Sequence, residues 1–245
     1  RGIGIARSLA IYHGQPWKRR RARALYSRFI RPGDLCFDIG AHVGDRVGYF
    51  LALGANVVAV EPQPAAMAVL RRLYGRNPRV TLVEAAVGAS PGEATLHLDP
   101  GNPTVATLSE SWAREVGRSR SFARVRWRQR IPVAVTTLDA LVARHGMPAF
   151  AKIDVEGFET AVLEGLSQPL PALSVEYVTA ALPATLAALD RLQALGNYGF
   201  NRSEGERLRL LHDRWRSAAE MAAELERLGV DAGSGDLYAR VQAGA

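Results

Sequence analysis

From Gly33 onward the chain alternates short apolar runs with amphipathic stretches, and this rhythm constrains the fold more than any other feature. Leu35–Ile39, Asn56–Val60, Val80–Val83, Ala149–Ile153 and Leu173–Tyr177 each have the length and near-continuous apolarity of a buried strand. Between them lie helical patterns at Asp45–Leu53, at Pro64–Tyr74 with Met67, Leu70, Leu73 and Tyr74 on one face, at Thr137–His145, after Glu156 to about Leu166, and at Pro183–Leu195. Gly54, Gly75, Gly146 and Gly196 close four of these, the usual stop signal for a helix. Strands separated by helices cannot pair as hairpins, so the pattern predicts an α/β fold. Its core is a doubly wound, mostly parallel sheet with helices on both faces. Glu93–Leu98 reads as an added strand. Ser217 to Glu220 forms a capping box ahead of a helix carrying Met221, Leu225 and Leu228, and Asp236–Val241 reads as a closing strand.

Charge divides the chain. The net charge is +7, yet residues 1–31 hold nine basic side chains and no acid. A second basic stretch, residues 112–131, holds seven arginines against one glutamate, so the remaining body is acidic. The reading is a basic helical N-terminal extension over 1–32 and one domain over 33–245, with an insertion at about 99–131. Basic charge split between two local patches, in place of one continuous face, argues weakly against a nucleic-acid reader. No apolar run reaches the roughly 20 residues of a membrane helix, and residues 1–15 lack the apolar core of a signal peptide. The single cysteine, Cys36, fits a reducing compartment, so a cytoplasmic location is expected.

Three strand ends carry chemistry. After the first strand comes Asp38-Ile39-Gly40-Ala41-His42-Val43-Gly44-Asp45, a glycine-rich turn that lets a ligand approach the backbone. The Gly40-x-x-x-Gly44 spacing lacks the middle glycine of a pyrophosphate-binding turn, and Asp38 would repel a pyrophosphate while suiting an ammonium group or hydroxyls. S-adenosylmethionine is therefore favoured over NAD. Glu61, followed by Pro62, stands where an acid accepts hydrogen bonds from ribose hydroxyls. In Lys152-Ile153-Asp154-Val155-Glu156-Gly157-Phe158-Glu159, period-two alternation sets Lys152, Asp154 and Glu156 on one side. Burying such groups is costly unless they pair or bind something. Glu159 falls in the first turn of the next helix, where the dipole favours an acid.

These segments, with Ala85-Ala86-Val87-Gly88, Thr137-Leu138-Asp139 and Val175-Glu176-Tyr177, resemble the FkbM family of methyltransferases in its own order, from about Ile30 to Tyr177. The resemblance implies a class I, Rossmann-like methyltransferase that takes S-adenosylmethionine as donor. It also implies a hydroxyl acceptor on a natural product or sugar, of the kind made in bacterial secondary metabolism. By that resemblance Asp38, Gly40, Ala41, His42 and Gly44 hold the methionine portion, Glu61 and Pro62 the ribose, and Glu84, Ala85 and Ala86 the adenine. Asp154 and Glu156 face the methyl group and the acceptor. His42 and Glu84 both stand where the family has Asn.

An alcohol is a poor nucleophile, so a base is expected. Asp154 is the first candidate and His42 its competitor, with Glu156 and Glu176 orienting the acceptor. The three acids Asp154, Glu156 and Glu176 offer Mg²⁺ ligands as an alternative, but no spacing defines such a site and no metal is expected. Arg124, Arg126, Arg128 and Arg130 alternate with less polar residues, as on a strand with one cationic face. That face is either a solvated edge or a wall attracting an anionic acceptor, with Arg126 and Arg128 as its substrate contacts. The competing functions are N- or RNA-methyl transfer and an idle nucleoside-binding module. The oligomeric state is left open.

Overall fold

The computed structural model describes residues 16–99, 101–102, 105–117 and 125–242. Its core is a seven-stranded sheet. The strands are β1 (Leu35–Ile39), β2 (Asn56–Val60), β3 (Val80–Val83), β7 (Phe150–Ile153), β8 (Ala172–Val178), β9 (Tyr198–Arg202) and β10 (Ser234–Val241), in the order β3-β2-β1-β7-β8-β10-β9. Neighbours from β3 to β8 pair in parallel, and β10 runs against both β8 and β9. The expected doubly wound α/β sheet is present. Strand order reverses between β1 and β7, the position at which open α/β sheets hold ligands outside their carboxyl ends.

Alternation along each strand builds two cores. Phe37, Ile39, Ile153, Leu173 and Val175 point to one face, where they meet α5 (Leu138–His145), α6 (Glu159–Glu164), α7 (Leu182–Leu195) and α8 (Ala218–Glu226). Cys36, Phe150, Ala172 and Tyr238 point to the other, covered by α1 (Pro16–Tyr26), α2 (Asp45–Ala52) and α3 (Pro64–Tyr74). Helix α1 docks through Ala22, Leu25 and Tyr26, and the Tyr26 ring meets Phe50 edge-on at 5.1 Å and Phe150 at 5.7 Å. Such aromatic pairs add about 0.5–1.5 kcal/mol each beyond simple burial. The arginines Arg19, Arg20, Arg21 and Arg23 lie on its exposed side.

A second sheet, β4 (Ala86–Val87), β6 (Gln129–Thr136) and β5 (Gly92–Leu98) in that order, stands beside the first and carries α4 (Glu110–Val116) in its connection. The alternating-arginine stretch is only partly strand, because β6 begins at Gln129. Arg126, Arg128 and Arg130 are exposed and Val125 and Val133 buried, so the cationic side faces solvent. Arg124 and residues 1–15 lie outside the described residues. Strand β9 and helix α4 went unread: β9 is short and polar at its end, and α4 has only Trp112 and Val116 as buried anchors. Among the described residues no helix is long and apolar enough to cross a membrane. Cys36 is buried inside β1 and His97 inside β5, as strand-interior residues.

Candidate active site

A cleft opens at the carboxyl rim of β1, β2 and β7, lined by the turn after β1, the end of β2 and the acids that follow β7. Its floor is the turn after β1. Gly40 has φ +82°, and a side chain there would put Cβ 1.9 Å from the Asp154 carbonyl oxygen, so only glycine lets β1 and β7 close at this point. Asp38, the last residue but one of β1, is only 2 % exposed, with Oδ2 aimed at no protein donor. Burial pushes its carboxyl up to about 7, and Asp45 nearby adds to the shift. Glu61 is equally buried, and its two oxygens receive the backbone N–H groups of His42 and Gln63, both at 2.8 Å. Its pKa is also pushed up to about 7, because burial outweighs those two hydrogen bonds.

The far wall comes from β7 and β8. Lys152, 1 % exposed, brings Nζ within 2.9 Å of Asp154 Oδ2 and within 2.9 Å of Asp236 Oδ1. Burial alone would raise the Asp154 carboxyl, but the Lys152 ammonium overrides it and holds the group below the usual carboxylate range. Simple alternation ends here. The chain leaves the strand after Ile153, and Glu156 is returned to the cleft by a left-handed backbone at φ +53°. Three contacts hold that strained turn. Thr107 Oγ1 donates to the Glu156 carbonyl at 2.6 Å, and Glu159 accepts from Val155 and Gly157 N–H at 3.1 and 3.3 Å. The Trp112 indole occupies the space that a side chain on Gly157 would need. Glu159 is thus a cap for the turn.

One oxygen of each of Asp154, Glu156 and Glu176 lies within 4.8 Å of the others. Carboxyls this close either share protons or surround a hard cation such as Mg²⁺. Burial, followed by repulsion from Asp154, pushes Glu156 well above the usual range; burial and then Glu156 do the same to Glu176. Within one cluster, then, Lys152 holds Asp154 down while burial and mutual repulsion push Glu156 and Glu176 up. His42 also lines the cleft, and burial lowers its pKa, leaving a neutral imidazole.

Of the residues singled out in the sequence, Asp38, Gly40, Ala41, His42, Glu61, Pro62, Ala85, Ala86, Asp154, Glu156 and Glu176 all line this cleft. Four do not. Gly44 is the N-cap of α2 with φ +79°, and the space beside it is taken by Leu70 and Tyr74. Glu84 is exposed and paired with Arg71 at 2.6 Å. Arg126 and Arg128 stay on the solvent side. The sequence reading passed over Arg46, which lines the cleft and reaches Glu206 at 3.0 and 3.2 Å, as well as the hydrophobic side wall of Leu96, Ala106 and Leu108 from the smaller sheet. Arg46 sits one residue past the recognisable turn, and its partner comes from a short helical turn at Gly205–Arg207. Only the placement of α2 gives it away.

The family model of the methyltransferase FkbM domain matches residues 38–202, two thirds of the chain. The protein belongs to the FkbM methyltransferase family. Its methyl donor is S-adenosylmethionine, and the class I, Rossmann-like arrangement is the fold described above. No curated protein matches the chain. Among solved structures it is similar to precorrin-6y C5,15-methyltransferase from Geobacter metallireducens, at 12 % identity over 91 % of this chain and 87 % of that one, with a TM-score of 0.48. It is similar to an O-methyltransferase from Bacillus cereus bound to SAH, at 11 % identity over 98 % and 87 %, TM-score 0.47. A precorrin 8w decarboxylase from Methanobacterium thermoautotrophicum follows at 13 % identity over 93 % and 90 %, TM-score 0.45. The residues present fit the donor: a Cβ-free cradle at Gly40, an orphaned buried carboxyl oxygen on Asp38, and a buried acid at the second strand end.

Proposed function

We propose that this family member is an O-methyltransferase acting on a hydroxyl of a small natural product or sugar-like acceptor. The observation that carries the reading is the cluster in which Asp154, held at 2.9 Å by Lys152 Nζ, has one oxygen each of Glu156 and Glu176 within 4.8 Å. A carboxylate accepts a hydroxyl proton, and neighbouring carboxyls both donate to and accept from hydroxyls. Asp38 holds the ammonium of the donor, Glu61 with Pro62 its ribose, and Ala85 with Ala86 its adenine side; the Gly40–His42 backbone follows its methionine portion. When bound, S-adenosylmethionine supplies an electrophilic methyl group on a good leaving group.

Asp154 takes the acceptor proton as the oxygen gains its bond to carbon. Glu156 and Glu176 orient the acceptor, and Leu96, Ala106 and Leu108 exclude water from one side. His42, neutral at the same cleft, is the second candidate base. Seven carboxylic side chains line the cleft with Arg46, Lys152 and the imidazole of His42, and both Arg46 and Lys152 are already paired with acids, which supports a neutral hydroxylated acceptor over an anionic one. The buried thiol of Cys36 supports a cytoplasmic location.

The test follows S-adenosylhomocysteine release from S-adenosylmethionine in the presence of myo-inositol, methyl glucosides and phenols, with wild type, Asp154→Asn and His42→Ala. Calorimetric titration with S-adenosylhomocysteine and with NAD runs beside it. Asp154→Asn is expected to lose turnover at least about 100-fold while binding S-adenosylhomocysteine normally. Undiminished turnover in Asp154→Asn, or loss confined to His42→Ala, rejects Asp154 as the base. Methyl transfer to an amine or an RNA, with every hydroxyl probe inert, rejects O-methylation.

A further inference from the structure

Lys152 is held from two sides, and only one of its partners faces the cleft. Asp154 lines the cleft; Asp236, on β10, does not. Strand β8 lies between β7 and β10, and the cross-strand register runs Lys152, Ser174, Tyr238. The lysine reaches Asp236 because the residue it passes is a serine, fully buried and too short to stand in the way. Asp236 is fixed in turn: its Oδ1 receives Lys152 Nζ at 2.9 Å and its Oδ2 receives the Tyr238 hydroxyl at 3.1 Å. Tyr238 is itself fully buried, packed near Phe29 and Phe150.

A second buried carboxylate on a lysine that already has one is not explained by charge neutralisation. One acid balances one ammonium, and each further buried ion costs desolvation. What the second contact adds is direction. The Lys152 Nζ also lies 3.5 Å from the Ile153 carbonyl, so its three N–H groups have three partners, and Asp236 fixes the orientation in which one of them meets Asp154. Strand β10 lies beyond residue 202, where the family match ends.

We propose that Asp236 is a positioning residue for methyl transfer, acting through Lys152 to hold the Asp154 carboxylate in its reactive orientation. The inference rests on the reading of Asp154 as the base. A misplacement of about 1 Å at a reacting group can cost on the order of 100-fold in rate, so the expected effect lies in kcat and not in binding.

The experiment compares Asp236→Ala, Asp236→Asn and Tyr238→Phe with wild type by crystallography, by S-adenosylhomocysteine affinity, and by kcat and KM on the best hydroxyl probe. Asp236→Ala is expected to move Asp154 Oδ2 beyond hydrogen-bond reach of Lys152 Nζ and to lower kcat about 10- to 100-fold, with affinity and KM within about 2-fold. Asp236→Asn keeps a carbonyl oxygen for Nζ and is expected to restore both the contact and most of the rate. An unmoved Asp154 carboxylate in Asp236→Ala, an unchanged kcat, or an Asn variant no better than Ala overturns the proposal; the crystallographic arm needs no acceptor. Should Asp236→Ala fail to fold, Tyr238→Phe decides: a kcat loss of about 3-fold or more at unchanged affinity supports the role, and no loss overturns it. Full turnover in Asp154→Asn would instead bring down the base assignment, whereas an inactive Asp154→Asn beside a fully active Asp236→Ala removes only the positioning role.

Discussion

His42 donates its backbone N–H to Glu61 Oε2 at 2.8 Å, so the glycine turn after β1 is tied to the end of β2 by a side chain that also lines the cleft. The other oxygen, Oε1, receives Gln63 N–H, which makes Glu61 the joint between two strand ends. Replacing it with Gln turns one acceptor into a donor that faces a backbone N–H. Leaving a buried backbone N–H unpaired costs about 1–3 kcal/mol, which corresponds to a fall in S-adenosylhomocysteine affinity of about 5- to 150-fold, measurable by calorimetry. Unchanged affinity would separate Glu61 from the nucleoside site.

Gly40 tests the closure of β1 on β7. An alanine there meets the Asp154 carbonyl oxygen at 1.9 Å and must hold φ near +82°. The left-handed backbone alone costs about 1–2 kcal/mol, and the clash pushes the Asp154 backbone away from the cleft. Gly40→Ala is expected to lower the unfolding free energy obtained from urea denaturation by at least that amount and to weaken S-adenosylhomocysteine binding together with it.

Stability should fall as pH rises from about 5 to 7.5. Asp38, Glu61 and Glu159 keep their protons up to about 7 in the folded chain, while in the unfolded chain they ionise near 3.8, 4.5 and 4.5. Between those values the unfolded state binds fewer protons, so the slope of stability against pH is negative. His42 and His145 act oppositely, because burial lowers their pKa and the unfolded chain gains their protons as pH falls below about 6.5. The three carboxyls outweigh the two imidazoles. A drop in melting temperature of about 5 °C or more is expected across this range, and the double variant Glu61→Gln, Glu159→Gln should flatten it.

The exposed arginines bear on acceptor charge. Arg126 Nη1 donates to the Val125 carbonyl and its backbone N–H to Asp99, and neither Arg126 nor Arg128 lines the cleft. The paired change Arg126→Ser, Arg128→Ser is expected to leave acceptor KM within about 2-fold, because charges this exposed are screened beyond roughly 8–10 Å at ordinary salt. A several-fold rise in KM would restore the anionic acceptor that the alternating pattern allowed.

Much of this molecule was legible before any coordinates. Strand runs, helix stops and the capping box at Ser217 are local, set by side-chain period and by residues within four positions of one another. The turn at Asp38–Asp45 and the acids at three strand ends share that property, because a parallel sheet delivers every strand end to the same rim. Two features turn on contacts that the letters do not show. Gly44 belongs to a glycine motif, yet Leu70 and Tyr74 from α3 occupy the space its missing side chain leaves. Arg126 and Arg128 alternate as a strand does, but β6 begins after them and turns their side outward.

Which groups meet was settled by packing. Lys152 shares one side of its strand with Asp154 by alternation alone, but its second partner lies on β10, reached across β8 over Ser174. Glu156 was assigned to the correct cleft by a regular alternation that in fact breaks after Asp154; Thr107 and Trp112, from the connection between the small sheet's strands, hold the turn that returns it. Period and capping depend on neighbours along the chain, so they can be read from letters. The partner of a buried charge depends on strand order and on what stands between, and those exist only once the sheet has formed.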